Sequence, residues 1–243
     1  ESIASLLPVC DEVVVSDGES EDGTQEFIRD WVAKEPKVKL CVYKWPHPSG
    51  HIEFYVDWIQ QGRMHCKGTH ICHLDADEIL DERSYRAVRY YNRDGPKHTL
   101  WCKRLNFWRD HRNLIPEGVC CSHRVVRLAP QSMWLPSDGP HPKGHEAVSN
   151  AEPSNVVIFH YGFLRRKEAF FKKAKALQDY FFGSYDPRLV DVERLLILDG
   201  ENTQKNWMQE VALEWKDNLV PYEEGRHPAV AHQWLRDRGY AIP

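Results

Sequence analysis

The chain has 243 residues, of which 42% are hydrophobic and 28% charged, and its formal net charge is −4. This composition predicts a globular protein, and no apolar run reaches the ~20 residues that cross a bilayer, which excludes a transmembrane segment. The negative charge argues against indiscriminate binding to polyanions. The seven Cys contain no C-x-x-C pair, so we expect reduced thiols in a cytoplasmic protein and no zinc site.

The first part of the chain alternates strand and helix patterns. A β-branched run at 13–15 predicts a strand, which leads into a polar loop at 16–24. Apolar residues at helical spacing then predict a helix from Thr24, with Asp22 or Thr24 itself as its N-cap. Residues 37–43 alternate apolar and polar side chains, which predicts a second strand.

A helix over 51–66 and a strand over 69–74 are predicted next. The resulting strand–helix–strand–helix–strand order predicts an α/β fold with a doubly wound, mostly parallel sheet. Ligands of such sheets bind outside the carboxyl ends of the strands. The acidic loops at Asp17 and at 75–78 should therefore converge on one crevice.

The second part of the chain, beyond residue 95, no longer shows the alternation of strand and helix patterns. Short strand-like runs at 99–105, 122–128 and 156–159 are separated by loops rich in Pro, Gly and His. Helical spacing returns over 166–182, and two or three further helices are predicted from Pro187 to Pro243. We therefore predict a catalytic domain over 1–165 and a helical C-terminal extension over 166–243.

Two carboxylates, Asp75 and Asp77, flank one small residue at the end of an apolar strand. Buried charge without compensation is costly, so these groups need a cation. Oxygen ligands suit Mg²⁺ or Mn²⁺, and substrate phosphates complete the shell of such ions. The alternative is a solvated acidic turn, in which Glu78, Asp81 and Glu82 favour the positive end of the next helix.

Two segments together resemble the family 2 glycosyltransferases: DEVVVSDGESEDGT at 11–24 and LDADE at 74–78. The resemblance covers about residues 1–165. It implies a GT-A fold, a nucleoside-diphosphate sugar as donor, with a UDP-sugar expected, and a divalent metal, Mn²⁺ or Mg²⁺. It also implies inversion at the anomeric carbon.

The resemblance assigns roles to individual acidic residues. Asp17 matches the acid that contacts the nucleobase, Asp75 the acid beside the ribose, and Asp77 the metal ligand. The family's first strand, which precedes a segment like Glu1 to Pro8, has no counterpart here. We expect either that the sequence begins inside the protein or that another element replaces this strand.

A further resemblance lies late in the sequence, where His160 ends the apolar run VVIFHYG at 156–162. It is similar to a His-Tyr-Gly element of some family members, which implies that His160 binds the metal or the diphosphate. A structural, hydrogen-bonding His is the alternative. Arg165 and Arg166 follow closely and are expected to neutralise the diphosphate, whereas the lysines between 167 and 175 are expected on a solvated helix face.

An inverting transferase needs a general base to deprotonate the acceptor hydroxyl. The best candidate is Glu146 in Gly-His-Glu at 144–146, which resembles a His-Glu element of related sequences, and Asp138 is the second candidate. The alternative for both residues is that they are ordinary loop residues without a catalytic role. Three tryptophans of this part offer faces for sugar stacking, with ordinary packing as the alternative: Trp101, Trp108 and Trp134.

The sequence therefore predicts an inverting, metal-dependent glycosyltransferase. Its acceptor is expected to be a glycan, a lipid-linked sugar, a protein or a modified nucleic-acid base. A nucleotidyltransferase is the first alternative, although the first strand is not followed by a Gly-rich loop that carries Lys or Arg. The second alternative is a non-catalytic module that binds a nucleotide-sugar or a glycan.

Overall fold

The computed structural model describes residues 1–44, 59–94, 98–108, 110–117, 124–133, 151–164 and 218–242. The helices are α1 (Ser2–Leu6), α2 (Thr24–Lys34), α3 (residues 59–64), α4 (Tyr85–Asp94) and α5 (His232–Asp237), with 3₁₀ turns at Glu82–Ser84 and Ala229–Ala231. The strands are β1 (Val13–Asp17), β2 (Val38–Val42), β3 (His70–Cys72), β4 (Glu78–Leu80), β5 (Thr99–Trp108), β6 (Asp110–Leu114), β7 (Arg124–Pro130), β8 (Ala151–Phe163) and β9 (Val220–Pro221).

The predicted strand–helix–strand unit at the start of the chain is confirmed. β1 and β2 pair in parallel, from Val13 opposite Val38 onward, and α2 connects them. The cap position of α2 is Gly23, whose φ of 90° favours glycine. Asp22 nevertheless satisfies the helix start, since its Oδ1 accepts hydrogen bonds from Thr24 N at 3.1 Å and Thr24 Oγ1 at 2.6 Å.

The remaining strands form a seven-stranded sheet that is mainly antiparallel. Its order is β3-β7-β5-β6-β9, and β8 pairs with both β5 and β4. Only β5 and β8 run parallel in this sheet. β5 ends at Trp108 and β6 begins at Asp110, and strands connected over so short a distance pair antiparallel. The doubly wound, mostly parallel GT-A sheet stays a prediction: apart from β1 with β2 and β5 with β8, the described pairings are antiparallel and differ from it.

The two faces of this sheet contact different parts of the chain, because side chains alternate along β5 and β8. On one face Cys102, Val156 and Ile158 join a core that includes residues of α1, β1 and α4. On the other face Phe107, Phe159 and Tyr161 pack against the C-terminal segment, where Leu235 is fully buried. The first of these faces also carries the polar residues of the candidate site.

Helix α1 precedes β1 in the chain, and a side-chain hydrogen bond connects it to β4. The Oγ atom of the fully buried Ser5 accepts a hydrogen bond from Leu80 N at 3.1 Å and donates one to Ser2 O at 2.7 Å. Leu6 and Val9 add apolar contacts in the same core. The short helix thus supports the strand that follows the acidic turn.

Much of the predicted helical extension lies outside the described residues, including 166–182. Residues 218–242 are described, and they pack on the sheet through β9 and α5. Among the described helices, none has the length and apolarity that crossing a membrane requires.

Candidate functional site

A row of polar residues crosses the centre of the larger sheet. His160 on β8 lies opposite Glu78 on β4 and opposite Asn106 on β5. Residues that face each other on neighbouring strands point to the same side of a sheet. The three side chains therefore share one face, at the edge of the apolar core that Ile158 and Leu80 continue.

The acidic turn at 75–78 is closed by two reciprocal hydrogen bonds. Glu78 N donates to Asp75 O at 3.0 Å, and Asp75 N donates to the Glu78 Oε2 atom at 3.1 Å. Tyr161 N donates to Asp77 O at 2.9 Å, which ties the turn to β8. The positions of Asp75 and Asp77 are thereby fixed relative to His160.

The alternative of a solvated acidic turn is wrong for Glu78, which is fully buried. For Asp81 only the capping part of that alternative holds: its carboxylate accepts a hydrogen bond from Arg83 N at 3.1 Å and caps the 3₁₀ turn, but the residue is 2% exposed and so is not solvated.

Two buried arginines compensate the charge of Glu78. The guanidinium of Arg127 makes a bidentate contact with this carboxylate: Nε donates to Oε2 at 3.0 Å, and Nη2 donates to Oε1 at 2.8 Å. Arg104 Nη1 donates to Oε1 at 3.2 Å. All three side chains are at most 4% exposed, so the ions depend on each other, since loss of one partner leaves an uncompensated buried charge.

Arg127 also reaches Asp75. Its Nη2 atom donates to Asp75 Oδ2 at 2.8 Å, and its Nη1 atom lies 3.4 Å from His73 Nδ1. His73 Nε2 lies 3.6 Å from the other carboxylate oxygen of Asp75. A carboxylate beside a guanidinium is well suited to accept hydrogen bonds, and a second cation on it would be repelled by the guanidinium.

Asp77 and His160 form a different kind of pair. Asp77 Oδ1 lies 3.7 Å from His160 Nε2, which is too long for a hydrogen bond. His160 Nδ1 lies 2.8 Å from Asn106 Oδ1, and in the tautomer in which Nδ1 donates to this oxygen, Nε2 is the unprotonated nitrogen and is the one nearer Asp77. This tautomer is the one that metal-binding histidines adopt when the other nitrogen is hydrogen-bonded.

Nowhere in the described segments do three or more His, Cys, Asp or Glu side chains group as a metal site. As a pair, Asp77 and His160 would suit Mn²⁺ better than Mg²⁺, because Mg²⁺ favours oxygen ligands; such ions take few protein ligands and complete their shell with phosphates and water.

Asp17 ends β1, as predicted, and is held in place by the loop after it. Its Oδ1 atom accepts hydrogen bonds from Ser20 N at 2.8 Å and from Gln25 Nε2 at 2.9 Å. Arg29 Nη2 in turn donates to Gln25 Oε1 at 3.0 Å. The carboxylate is thus oriented by a chain of hydrogen bonds, whereas its convergence with the turn at 75–78 stays a prediction.

Several predicted residues lie outside the described residues, namely Asp138, Glu146, Arg165, Arg166 and Trp134. Of the other two tryptophans, Trp108 is buried and its ring lies 5.2 Å from that of Phe163, so packing is the role observed for it. Trp101 is half-buried on β5.

Sequence patterns did not indicate three residues that lie around the acidic turn and His160: Arg104, Asn106 and Arg127. Asn106 and Arg127 are single polar residues within apolar strand patterns, whereas Arg104 follows Lys103. An Arg or Asn at an inward position is a signal in itself, because such residues are rarely buried without a partner.

A depression of about 460 Å³ lies at the opposite end of β1 and β2 from Asp17. Two of the lysines that line it contact other parts of the protein: Lys39 pairs with Glu12, and Lys37 Nζ donates to Leu7 O at 3.1 Å and Cys10 O at 3.0 Å. These contacts hold the loops before both strands together, so we assign this surface a structural role.

No protein-family model matches the sequence, and no curated protein matches it significantly. What the chain does must therefore be inferred from the side chains around the acidic turn and His160, together with the motif resemblance.

Proposed function

We propose that the chain is an inverting, metal-dependent glycosyltransferase of the GT-A type. The observation that carries the proposal is the pairing of Asp77 Oδ1 with His160 Nε2 at 3.7 Å, with the imidazole tautomer set by Asn106. A carboxylate and an imidazole in this arrangement fit a divalent cation, and the turn that carries Asp77 also presents Asp75.

Asp77 and His160 would hold Mn²⁺ or Mg²⁺, which supplies positive charge that stabilises the departing diphosphate. His160 is 8% exposed and Asn106 is 1% exposed. Because both side chains are packed, the ligand atoms are oriented before a donor arrives. Such pre-organisation favours binding, since little freedom is lost on association.

Asp75 and Asp17 have separate parts in donor binding. Asp75, which already accepts a hydrogen bond from Arg127, is proposed to accept further ones from the ribose hydroxyls. Asp17 is proposed to accept a hydrogen bond from the nucleobase, with its carboxylate oriented by Gln25. The donor is a nucleoside-diphosphate sugar, with UDP-sugar as the first choice.

In the transfer step the acceptor hydroxyl attacks the anomeric carbon while the bond to the diphosphate breaks, which inverts the configuration. A general base takes the hydroxyl proton. We assign this role to Glu146, with Asp138 as second choice, and assign Arg165 and Arg166 to the diphosphate. These four residues lie outside the described part of the chain.

The acceptor is proposed to be a glycan, a lipid-linked sugar, a protein or a modified nucleic-acid base, and the reaction is proposed to occur in the cytoplasm. Each acceptor class offers a hydroxyl or comparable nucleophile. The side chains around the acidic turn do not select among these classes, because they belong to the donor side of the proposed site.

The test is a panel of UDP-, GDP-, ADP- and CDP-sugars incubated with the protein and Mn²⁺ or Mg²⁺. Slow transfer to water releases nucleoside diphosphate without any acceptor, and we expect release that EDTA abolishes. Asp77→Ala is the matched inactive control. Pyrophosphate release from nucleoside triphosphates would instead support a nucleotidyltransferase, and metal-dependent binding without any release would support a non-catalytic module.

A further inference from the structure

We propose that Arg127 is a positioning residue that aims the Asp75 carboxylate at the ribose of the bound nucleotide. The inference rests on the proposed function and adds a residue that no motif indicates. Arg127 lies on β7, whereas Asp75 lies in the loop after β3, and their Nη2 and Oδ2 atoms are 2.8 Å apart.

The orientation of Arg127 is fixed by Glu78. The guanidinium binds both oxygens of that carboxylate, at 3.0 and 2.8 Å, and the side chain is 1% exposed. A bidentate contact sets the plane of the guanidinium as well as its distance. The Nη2 atom that donates to Asp75 also donates to Glu78, so the bidentate contact with Glu78 fixes its position.

Glu78 is held in place by Arg104, and it also accepts a hydrogen bond from the backbone of Asp75. Arg104 Nη1 donates to Glu78 Oε1 at 3.2 Å, while Asp75 N donates to Oε2 at 3.1 Å. Asp75 is thus held at its backbone by Glu78 and at its carboxylate by Arg127. Both contacts fix the direction in which this carboxylate points.

A carboxylate held in this way keeps the capacity to bind a sugar. Each oxygen has two lone pairs, and the hydrogen bond from Arg127 takes one of these four acceptor positions, so this contact by itself does not prevent the carboxylate from accepting from hydroxyl donors. Lysine could not replace Arg127, because a single ammonium lacks the planar fork that joins Glu78 and Asp75. The proposal therefore predicts that charge alone is insufficient at this position.

The experiment measures ribose recognition directly. Binding of UDP and of 2′-deoxy-UDP with Mn²⁺ is measured by calorimetry for the parent and for Arg127→Lys, with the ADP and GDP pairs where UDP does not bind. We expect the parent to prefer the ribose form and Arg127→Lys to lose about 10-fold of that preference, the effect of one misplaced hydrogen bond. Affinity for the deoxy form should hardly change.

Arg83→Lys is the matched control, because it removes a guanidinium from a different carboxylate, that of the buried Asp81, and leaves Glu78 and Arg127 unchanged. It should lower the thermal stability and keep the ribose preference. Asp75→Ala completes a double-mutant cycle, in which Arg127→Lys should have no further effect if it acts through Asp75. If Arg127→Lys does not fold, Arg127→Gln is measured instead, because a Gln amide can still donate a hydrogen bond and Arg104 continues to compensate the charge of Glu78.

The outcomes separate this inference from the proposed function. Full ribose preference in the Arg127 variants, or additive effects in the cycle, would overturn the positioning role and leave the glycosyltransferase proposal intact. A parent that binds nucleotides without preferring ribose would also overturn it. A parent that binds no nucleotide with metal would overturn the proposed function and this inference with it.

Discussion

The Nδ1 atom of His160 lies 2.8 Å from the Oδ1 atom of Asn106, and this contact turns the other imidazole nitrogen toward Asp77. Asn106→Ala should therefore weaken Mn²⁺ binding, because the imidazole loses its fixed tautomer and orientation. Outer partners of metal ligands typically contribute ~10–100-fold in affinity. Calorimetric titration of Mn²⁺ in the presence of UDP measures the loss.

Two variants control this prediction. Asn106→Asp keeps an acceptor oxygen toward Nδ1 and should retain most of the affinity. Asn113→Ala removes an amide from the neighbouring strand β6 and should have no effect. Unchanged Mn²⁺ affinity in Asn106→Ala would show that Asn106 does not orient a metal ligand.

Asp77→Ala should abolish metal-dependent nucleotide binding while the fold stays intact. The main chain of Asp77 accepts the hydrogen bond from Tyr161 N, so the turn remains tied to β8 when the side chain is removed. Calorimetry with UDP, with and without Mn²⁺, checks the binding, and thermal unfolding checks the fold. Asp30→Ala, on the exposed side of α2, is the control; undiminished affinity with metal in excess would refute the assignment.

Asp17→Asn should reduce discrimination among nucleobases and leave Mn²⁺ affinity unchanged. Asn keeps one oxygen for the donors Ser20 N and Gln25 Nε2, whereas Ala would leave these partly buried groups unpaired at a cost of about 1–3 kcal/mol. Affinities for UDP, CDP, ADP and GDP are compared. Asp22→Asn, in the same loop, serves as control, and equal discrimination in Asp17→Asn and parent would contradict the role.

Local patterns predicted the part of the fold that local interactions determine. The β-branched run of β1 and the helical spacing of α2 gave the correct elements and their parallel connection. The antiparallel partners of β3 and β5 were missed, because strand pairing depends on contacts distant in sequence. Period-2 alternation gives the faces of a strand but not its neighbour.

The sequence likewise indicated some residues of the candidate site and not others. Asp75 and Asp77 stood out because they follow a strand, and His160 because it follows an apolar run, and the structure brings Asp77 and His160 together. The expectation that His160 ends its strand was wrong, because β8 continues to Phe163. Arg127 and Asn106 depend on the register between strands, which no local pattern records. A buried Glu78 could not be told from a solvated one for the same reason.

Glu146→Gln should lower turnover by ~10²–10⁴, the usual contribution of a general base, with donor affinity nearly unchanged. Gln keeps the size of the side chain but cannot take the acceptor's proton. Release of nucleoside diphosphate and UDP binding are measured on the same protein. A loss of donor affinity would place Glu146 with the donor, and retained turnover would move the role to Asp138 and then to His141 and His145.

Stability should depend on the pH through His227, which is 1% exposed and whose Nδ1 atom lies 2.8 Å from Tyr161 Oη. Burial, and next the neighbouring His111, lowers the pKa of His227 from 6.5 to about 4. Between these two values the unfolded chain binds more protons than the folded one. The free energy of unfolding should therefore fall as the pH drops through this window and level off below it, by on the order of 3 kcal/mol in all.

Urea unfolding at pH 7 and at pH 4.5 measures this contribution in the parent and in His227→Gln. The variant should be less stable than the parent at pH 7, because Gln fills the aromatic cluster around Phe107 and Tyr222 poorly. Its stability should nevertheless fall less on acidification, since no imidazole is left to take up a proton there. His98→Gln changes an exposed histidine and should keep the parent's pH dependence. Equal losses in His227→Gln and parent would show that His227 is not the group responsible.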